Sequence, residues 1–301
     1  MFAAVLTTFC FATSAILARR SASMLGSQPA NLARQFAALI MLGLWAHLVG
    51  QGLKGPGLPV FIFSGILGFG MGDFAMFEAL PRLGAPLTIL IIQCLAVPIG
   101  AVTEWLWLGT RMTPLQIMSS AVILIGVALA IAPEKGSAIP RGHRIAGAVF
   151  AVIGAFGQAW GLVVSRWGFI ADDHNGLHVD GATAAYQRLI GGIVCVALLA
   201  WTSRLVMRWR DPDAPRVVRP WKKALPWILG NAFAGPALGV AFYQSAAHAL
   251  PSAVVLSIVA TTPLAVMALS FVFEKTRPSP RAVIGSLLAV AGVVALVFSW
   301  Y

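Results

Sequence analysis

Acidic side chains occur inside long apolar runs of this chain, where a charge is costly and therefore points to function. Asp73 and Glu78 lie in one run and Glu104 in the next. Facing a cavity, such a group could carry a proton or bind a cationic group of a substrate. Asp73 could instead hydrogen-bond to a neighbouring helix, and Glu78 could form an interfacial ion pair with Arg82, four residues on. The sequence leaves both interpretations open.

Two arginines and a set of uncharged polar and aromatic residues complete the candidate site. Arg34 and Arg188 each open an apolar run, where they could anchor a carboxylate or phosphate at a mouth of the cavity or contact lipid headgroups. Gln93 shares one helical face with Glu104. The other candidates for the cavity wall are Phe74, Phe77, Gln158, Trp160, Ser165, Tyr243, Gln244 and Thr261. Such a wall suits a small zwitterion or an amphipathic metabolite better than a bare ion.

Two prolines stand near the middle of apolar runs. Pro98 and Pro263 each remove a backbone donor and free the carbonyl four residues earlier. In transporters such helix breaks often face the substrate. A plain kink is the alternative interpretation of both prolines.

The chain repeats itself. Pro86 and Pro98 each recur 165 residues later, as Pro251 and Pro263, and the residues before them form similar proline-anchored blocks. A duplicated helical membrane chain is typical of a secondary transporter with its substrate site between the halves.

Composition places the chain in a lipid bilayer. Of its 301 residues, 59% are hydrophobic and 10% charged, against about a quarter charged in soluble domains. The net charge of +11 is concentrated between the apolar runs, which predicts contact with lipid headgroups and no nucleic-acid partner. The three cysteines lie within apolar runs, and no motif with metal spacing is present. We therefore expect no disulfide, metal site or cofactor.

Hydropathy predicts ten membrane-spanning segments of about 20 residues. They cover 1–18, 32–50, 59–80, 86–108, 114–132, 145–167, 182–203, 224–249, 251–273 and 280–300, with longer loops at 133–144, 168–181 and 204–223. Five spans in each half is an odd number, so the two copies must insert with opposite topology. We predict an all-α membrane protein of ten transmembrane helices in two inverted five-helix repeats, residues 1–132 and 145–301.

Short motifs, in order along the whole chain, resemble the EamA family of the drug/metabolite transporter superfamily. They are Gly72-Asp73, Ala79-Leu80-Pro81-Arg82-Leu83-Gly84-Ala85, Pro98, Leu108-Gly109, Thr113-Pro114-Leu115-Gln116, Phe273-Glu274-Lys275, Gly285 and Gly292. The resemblance implies a ten-helix basket that can work as a monomer. Its central cavity would be lined mainly by the first, third, fourth, sixth, eighth and ninth helices. The chain departs from the family at Thr110, where a glutamate is usual, and near Thr13, where a tryptophan is lost although its counterpart Trp160 remains.

The distribution of cations indicates an orientation. With ten spans, 17 of the 21 lysines and arginines fall on the side opposite the termini. The positive-inside rule puts that side in the cytoplasm of a cell inner (plasma) membrane and the termini outside. The family resemblance implies cytoplasmic termini instead.

These observations favour a secondary exporter of small metabolites, amino acids or their derivatives first, that works by alternating access. No nucleotide-binding motif is present, so a gradient, protons first, or exchange would drive transport. The alternative is a proton-coupled exporter of organic cations that uses Glu78 or Asp73. Outside transport, a lipid flippase remains open, and Gly70-Met71-Gly72-Asp73 matches the G-x-G-D of intramembrane aspartyl proteases. A protease would need a second membrane aspartate, and the other aspartates are predicted to lie in loops.

Overall fold

In the computed structural model the chain is all-helical over the described residues, 1–108, 113–131, 141–210, 219–250, 252–275 and 279–298. The first half contains α1 (Phe2–Leu25), α2 (Ser27–Leu48), α3 (Leu58–Gly65), α4 (Phe74–Leu83), α5 (Ala85–Leu108) and α6 (Pro114–Ile131). The second half contains α7 (Arg141–His174), α8 (Gly181–Arg210), α9 (Trp221–Ala232), α10 (Val240–Ala249), α11 (Ser252–Val259), α12 (Thr262–Glu274) and α13 (Pro280–Phe298). No β-strand occurs among these residues.

The helices are long and apolar enough for a multi-pass membrane protein. Within the described residues, seven helical stretches meet the length and composition of a membrane span, and two shorter apolar helices cover Pro114–Ala130 and Pro280–Leu296. The helix surface is rich in exposed large apolar side chains; Leu48 is 80% exposed and Phe2 77%. Monomeric soluble proteins rarely expose so much contiguous apolar surface. Lipid is the solvent in which these faces are stable.

Two helices widen locally into π-helical turns at corresponding positions. Ile66–Asp73 joins α3 to α4, and Phe233–Gly239 joins α9 to α10. Each segment contains a G-x-x-x-G pair, Gly68 with Gly72 and Gly235 with Gly239, at an offset of 167 residues. π-Helical turns inside helices are rare and frequently mark functional sites. We refer to the two segments as the first and second π-segments.

The helices pack through small residues, as expected in lipid, where the hydrophobic effect does not drive helices together. A Cβ atom at Gly157 of α7 would lie 2.6 Å from the Cα of Gly72 in the first π-segment. The largest buried cluster is centred on α5, where Leu90 and Ile91 are fully buried, and it extends to α7, α11 and α13. Backbones can approach this closely because neither glycine has a Cβ atom.

The structure extends several predicted spans and shortens a predicted loop. α7 continues to His174, so Asp172 and Asp173 are helical, whereas the sequence placed them in the loop at 168–181. The hydropathy pattern marks only the apolar middle of a helix, and polar turns can continue it at either end. The predicted helix break at Pro98 is absent, because α5 runs through it from Ala85 to Leu108. One missing hydrogen bond kinks a helix without ending it when the neighbouring turns are packed.

At Pro263 the helix is interrupted. α11 ends at Val259, and α12 begins at Thr262 with Pro263 in its first turn. Proline is favoured there, because the N–H that it lacks has no partner at a helix start. The two prolines therefore differ in their local effect despite their common spacing.

Candidate functional site

A cavity of about 70 Å³ lies between the two halves of the chain. Its wall comes from α1, α2, the first π-segment, α4 and α5 in the first half, and from α7, α8, the second π-segment and α10 in the second. Six residues singled out from the sequence line it: Arg34, Asp73, Gln93, Gln158, Arg188 and Tyr243. The volume is enough for a few water molecules or one small polar group.

Arg34 is fixed in the wall by several partners. It is 3% exposed and forms an ion pair with Asp73, which is 18% exposed. Its Nε donates to the Oδ1 atom of Asn31 at 3.2 Å, and its guanidinium carbon lies 4.8 Å from the centre of the Phe77 ring. Gln35 extends the cluster, since its Nε2 donates to the same Asn31 oxygen at 3.2 Å. A buried cation with this many partners is held in one place.

Arg188 is buried to the same degree but lacks such partners. It is 4% exposed, and its guanidinium carbon lies 5.7 Å from the centre of the Phe69 ring. Its Nε and Nη1 atoms are buried without a hydrogen-bond acceptor. The Asp73 carboxylate and Tyr243 interact with this guanidinium electrostatically, but neither accepts from these two donors. Buried donors without an acceptor are rare and costly, so the position can take a further anionic partner.

A group of uncharged hydrogen-bonding residues also lines the cavity. The Nε2 atom of Gln158 donates to Gln93 Oε1 at 3.2 Å and to Tyr243 Oη at 3.4 Å. The Tyr243 ring packs against that of Phe11 with 5.7 Å between centres. Amide and phenol groups beside aromatic rings can hydrogen-bond a polar solute while contacting its apolar part.

A buried hydrogen bond links the two halves beside this cavity. Ser14 of α1 donates to the Oδ1 atom of Asn231 in α9 at 2.7 Å, and Ser14 also lines the cavity. The Nδ2 atom of the Asn231 side chain is buried without a hydrogen-bond partner. A further unsatisfied donor therefore lies next to Ser14, which lines the cavity.

The model of the EamA-like transporter family matches the chain twice, over residues 1–132 and 145–298. The protein belongs to the EamA-like transporter family. This confirms the family expected from the sequence motifs, and with it membership of the drug/metabolite transporter superfamily. The family consists of membrane transporters of small solutes.

Solved structures show the fold of this EamA-like transporter. One crystal structure, described only as that of a protein, has a TM-score of 0.63 to the chain at 20% sequence identity. The match covers 97% of this chain and 94% of the other. No curated protein matches the chain.

The cavity of this EamA-like transporter differs from the one implied by the family resemblance. The second and seventh predicted spans contribute to it through Arg34 and Arg188. No described lining residue belongs to α11 or α12, which form the ninth predicted span. Thr261, predicted in the wall, lies at the interruption between these two helices, and its Oγ1 donates to the carbonyl of Ile258 at 2.7 Å.

Glu78 lies outside the cavity wall as the structure describes it. Its carboxylate is 2.8 Å from Nη1 of Arg82, and the Nε2 atom of Gln28 donates to it at 2.8 Å. Both members of the ion pair are partly exposed, 19% for Glu78 and 29% for Arg82. The interfacial pair weighed from the sequence is therefore the arrangement that the structure contains.

The remaining predicted residues whose side chains are described do not line the cavity. Phe77 packs beneath Arg34, and the carbonyl of Phe74 accepts a bond from Gln28 at 3.3 Å. Trp160 is 39% exposed and donates to Thr103 Oγ1 at 3.1 Å. A second group of predicted residues pairs internally, since Ser165 donates to Gln244 and both are fully buried. Glu104 lies on α5, but its side chain is outside the described part of the structure.

Several residues in the wall or bonded to it escaped sequence analysis. Asn31 lies three residues before Arg34 and four before Gln35, which are helical spacings that place polar residues on one face. Phe69 and Asn231 gave no comparable signal, because single aromatic or amide residues are common in membrane helices. The place of Phe69 in the wall, and of Asn231 beside the lining residue Ser14, follows from tertiary packing alone.

Proposed function

We propose that this protein is a secondary transporter that exports small metabolites, amino acids or their derivatives first, by alternating access. One observation carries the proposal: a cavity between the two halves is lined by a charged group of three residues and by an uncharged polar group. Arg34, Asp73 and Arg188 form the first group, and Gln93, Gln158 and Tyr243 the second. Transporters bind substrates at such a position, between repeats and near the bilayer midplane.

The proposal includes ten membrane-spanning helices in two inverted five-helix repeats, residues 1–132 and 145–301. The double match to the family model, the offset of 165 residues between the proline blocks and the paired π-segments support it. Arg34 of the first half approaches Gly235 of the second, and Arg188 of the second approaches Gly68 of the first. Rocking one half against the other would move each arginine relative to its facing π-segment and open the cavity to alternate sides.

Export would draw on an ion gradient or on exchange, because the sequence contains no nucleotide-binding motif. Protons are the first candidate for the coupling ion, and Asp73 is the acidic group that lines the cavity among the described residues. We place the protein in the cell inner (plasma) membrane as a monomer, in contact with lipid and its small-molecule substrate.

The charges of the cavity favour an amphipathic metabolite over an organic cation. The wall contains two guanidinium groups against one carboxylate, and that carboxylate is already paired with Arg34. A permanent cation would meet net repulsion at short range in a medium of low dielectric constant. A protease mechanism is also unsupported, because Asp73 is the one aspartate among the described lining residues.

Reconstituted transport tests the proposal. Purified protein in liposomes loaded with unlabelled amino acids should exchange the matching labelled amino acid from outside, and empty liposomes should not. Met76→Trp, which fills the cavity wall, should abolish exchange, whereas Met118→Trp, on a side chain 66% exposed on the helix surface, should leave it intact. Exchange of no amino acid or derivative, or equal exchange by both variants, would refute this site or this substrate class.

A further inference from the structure

We infer that Arg188 binds an anionic oxygen group of the transported solute, a carboxylate first. This group would take the place of an aspartate equivalent to Asp73, because the second half has Val240 at that position. The inference rests on the proposed function, because it concerns the same cavity. It specifies what chemical group a solute must have to be bound there.

Arg34 and Arg188 occupy equivalent places in their helices. Arg34 lies seven residues after the start of α2, and Arg188 lies seven residues after the start of α8. Each guanidinium also covers a phenylalanine ring, Phe77 for Arg34 at 4.8 Å and Phe69 for Arg188 at 5.7 Å. Position and burial therefore agree between the two arginines, although Phe77 belongs to the half of Arg34 and Phe69 to the half opposite Arg188.

Each arginine also approaches the π-segment of the opposite half. A Cβ atom at Gly235 would lie 3.2 Å from Nη1 of Arg34. A Cβ atom at Gly68 would lie 2.6 Å from Nη2 of Arg188. These glycines are the first members of the two G-x-x-x-G pairs, so the two contacts correspond to each other across the halves.

The two arginines differ in their acceptors. Three residues before Arg34 lies Asn31, which accepts from its Nε atom, whereas Ala185 lies three residues before Arg188. The residue that follows the second glycine of each pair differs as well. That residue is Asp73 in the first half and Val240 in the second. Asp73 forms the ion pair with Arg34, and both Asp73 and Val240 line the cavity. Valine offers no acceptor, so the position that would complete the second ion pair is apolar.

Arg188 is consequently a buried cation whose Nε and Nη1 atoms have no acceptor. It lies at the cavity, where a solute can supply the missing charge. A hydrogen bond to a buried charged donor contributes more free energy of binding than an exposed ion pair does, because the buried charge has already lost its hydration. Carboxylate and phosphate oxygens are both suitable acceptors for a guanidinium group.

The first test separates the anionic group from the rest of the solute. Thermal unfolding of the detergent-purified protein is measured with free L-amino acids, with their α-amides and with inorganic phosphate. A ligand that binds only the folded state raises the midpoint by an amount that grows with the ratio of its concentration to its Kd. We expect stabilisation by acids and none by the matching amides. Stabilisation by phosphate alone would also support the anion site and would assign it to a phosphate-bearing solute.

The second test introduces a carboxylate on the protein itself, at the position equivalent to Asp73. In Val240→Asp the new carboxylate should pair with Arg188 and weaken binding of the stabilising anion by about tenfold or more relative to Val240→Asn. Asparagine is the control because it is similar in size to aspartate but uncharged. Arg188→Gln should show the same loss. If Arg188→Gln does not fold, the comparison of the two Val240 variants still decides the question, since neither removes the buried cation.

Some outcomes would overturn the inference and leave the proposed function standing. Equal stabilisation and equal exchange by acids and their amides would do so, as would unchanged anion binding in both Arg188→Gln and Val240→Asp. Absence of stabilisation by every acid and by phosphate, at concentrations that saturate exchange, would do the same. Absence of exchange for every amino acid and amide in liposomes would instead refute the proposed function.

Discussion

Arg34 and Asp73 form an ion pair in the wall of the cavity, with Arg34 3% exposed and Asp73 18% exposed. A second pair, Glu78 with Arg82, lies further along the same helix as Asp73 and is more exposed, at 19% and 29%. The same kind of contact is thus present in two environments of one chain. Burial determines how much each should contribute, because the loss of one partner leaves a bare charge only where water cannot replace it.

Asp73→Asn should strongly destabilise the folded protein. It leaves the buried guanidinium of Arg34 without its carboxylate, a loss of about 3 kcal/mol or more. Arg34→Gln in addition should recover part of the stability, since the double variant no longer has the charge that Asp73→Asn leaves without its ion-pair partner. Thermal unfolding in detergent measures both. Equal midpoints for Asp73→Asn and the wild-type protein would show that the pair contributes nothing to the wall.

Glu78→Gln should be nearly neutral for stability and for transport. The pair with Arg82 joins residues four apart on a partly exposed face, where such pairs contribute about 0.3–0.5 kcal/mol. An amide at this position can still accept the bond from Gln28. Exchange in liposomes and its dependence on a proton gradient are the measurements. A variant that folds normally but has lost the proton dependence would return Glu78 to the role of coupling residue.

Gly68→Ala should impair solute binding without unfolding the protein. The new methyl group would lie 2.6 Å from Nη2 of Arg188, and the flexible end of that side chain would have to move. Gly142→Ala is the matched control, because nothing lies within 4 Å of a Cβ atom there. We expect solute binding to be weakened by about tenfold in Gly68→Ala and unchanged in Gly142→Ala. The measurement is the shift of the thermal unfolding midpoint with a saturating ligand. Equal binding by both variants would mean that the position of Arg188 does not matter.

Much of the helical architecture was accessible from the sequence, because lipid imposes one requirement on every span. A run of about 20 apolar residues must be helical to satisfy its own backbone. That rule located α5 within one residue at its start, Ala85 against the predicted 86. It failed at the end of α7, where the helix reaches His174. Polar turns beyond the apolar run follow from packing at the membrane surface, which hydropathy does not measure.

The candidate site was predictable in part. Buried charge is rare enough that Arg34, Asp73 and Arg188 could be singled out from their setting alone. The direction in which a side chain points was harder to predict. Glu78 lies five residues, or about 1.4 helical turns, beyond Asp73. Its side chain therefore points in another direction and pairs with Arg82 outside the cavity. The contrast between Asp73 and Val240 became visible only when the structure brought both residues to the same cavity.

Labelling from one side of the membrane should establish the orientation. Lys54 lies between α2 and α3, and Lys222 lies at the start of α9; both are exposed. With the ten spans proposed above, Lys54 would be on the side of the termini and Lys222 on the opposite side. In a background without Cys10, Cys94 and Cys195, Lys54→Cys and Lys222→Cys each place one thiol in water. The excess of cations on the side of Lys222 predicts that this side is cytoplasmic. An impermeant thiol reagent should therefore label the Lys54→Cys variant in intact cells and the Lys222→Cys variant only after permeabilisation. The reverse pattern would show that the termini are cytoplasmic and that the charge distribution does not orient this chain.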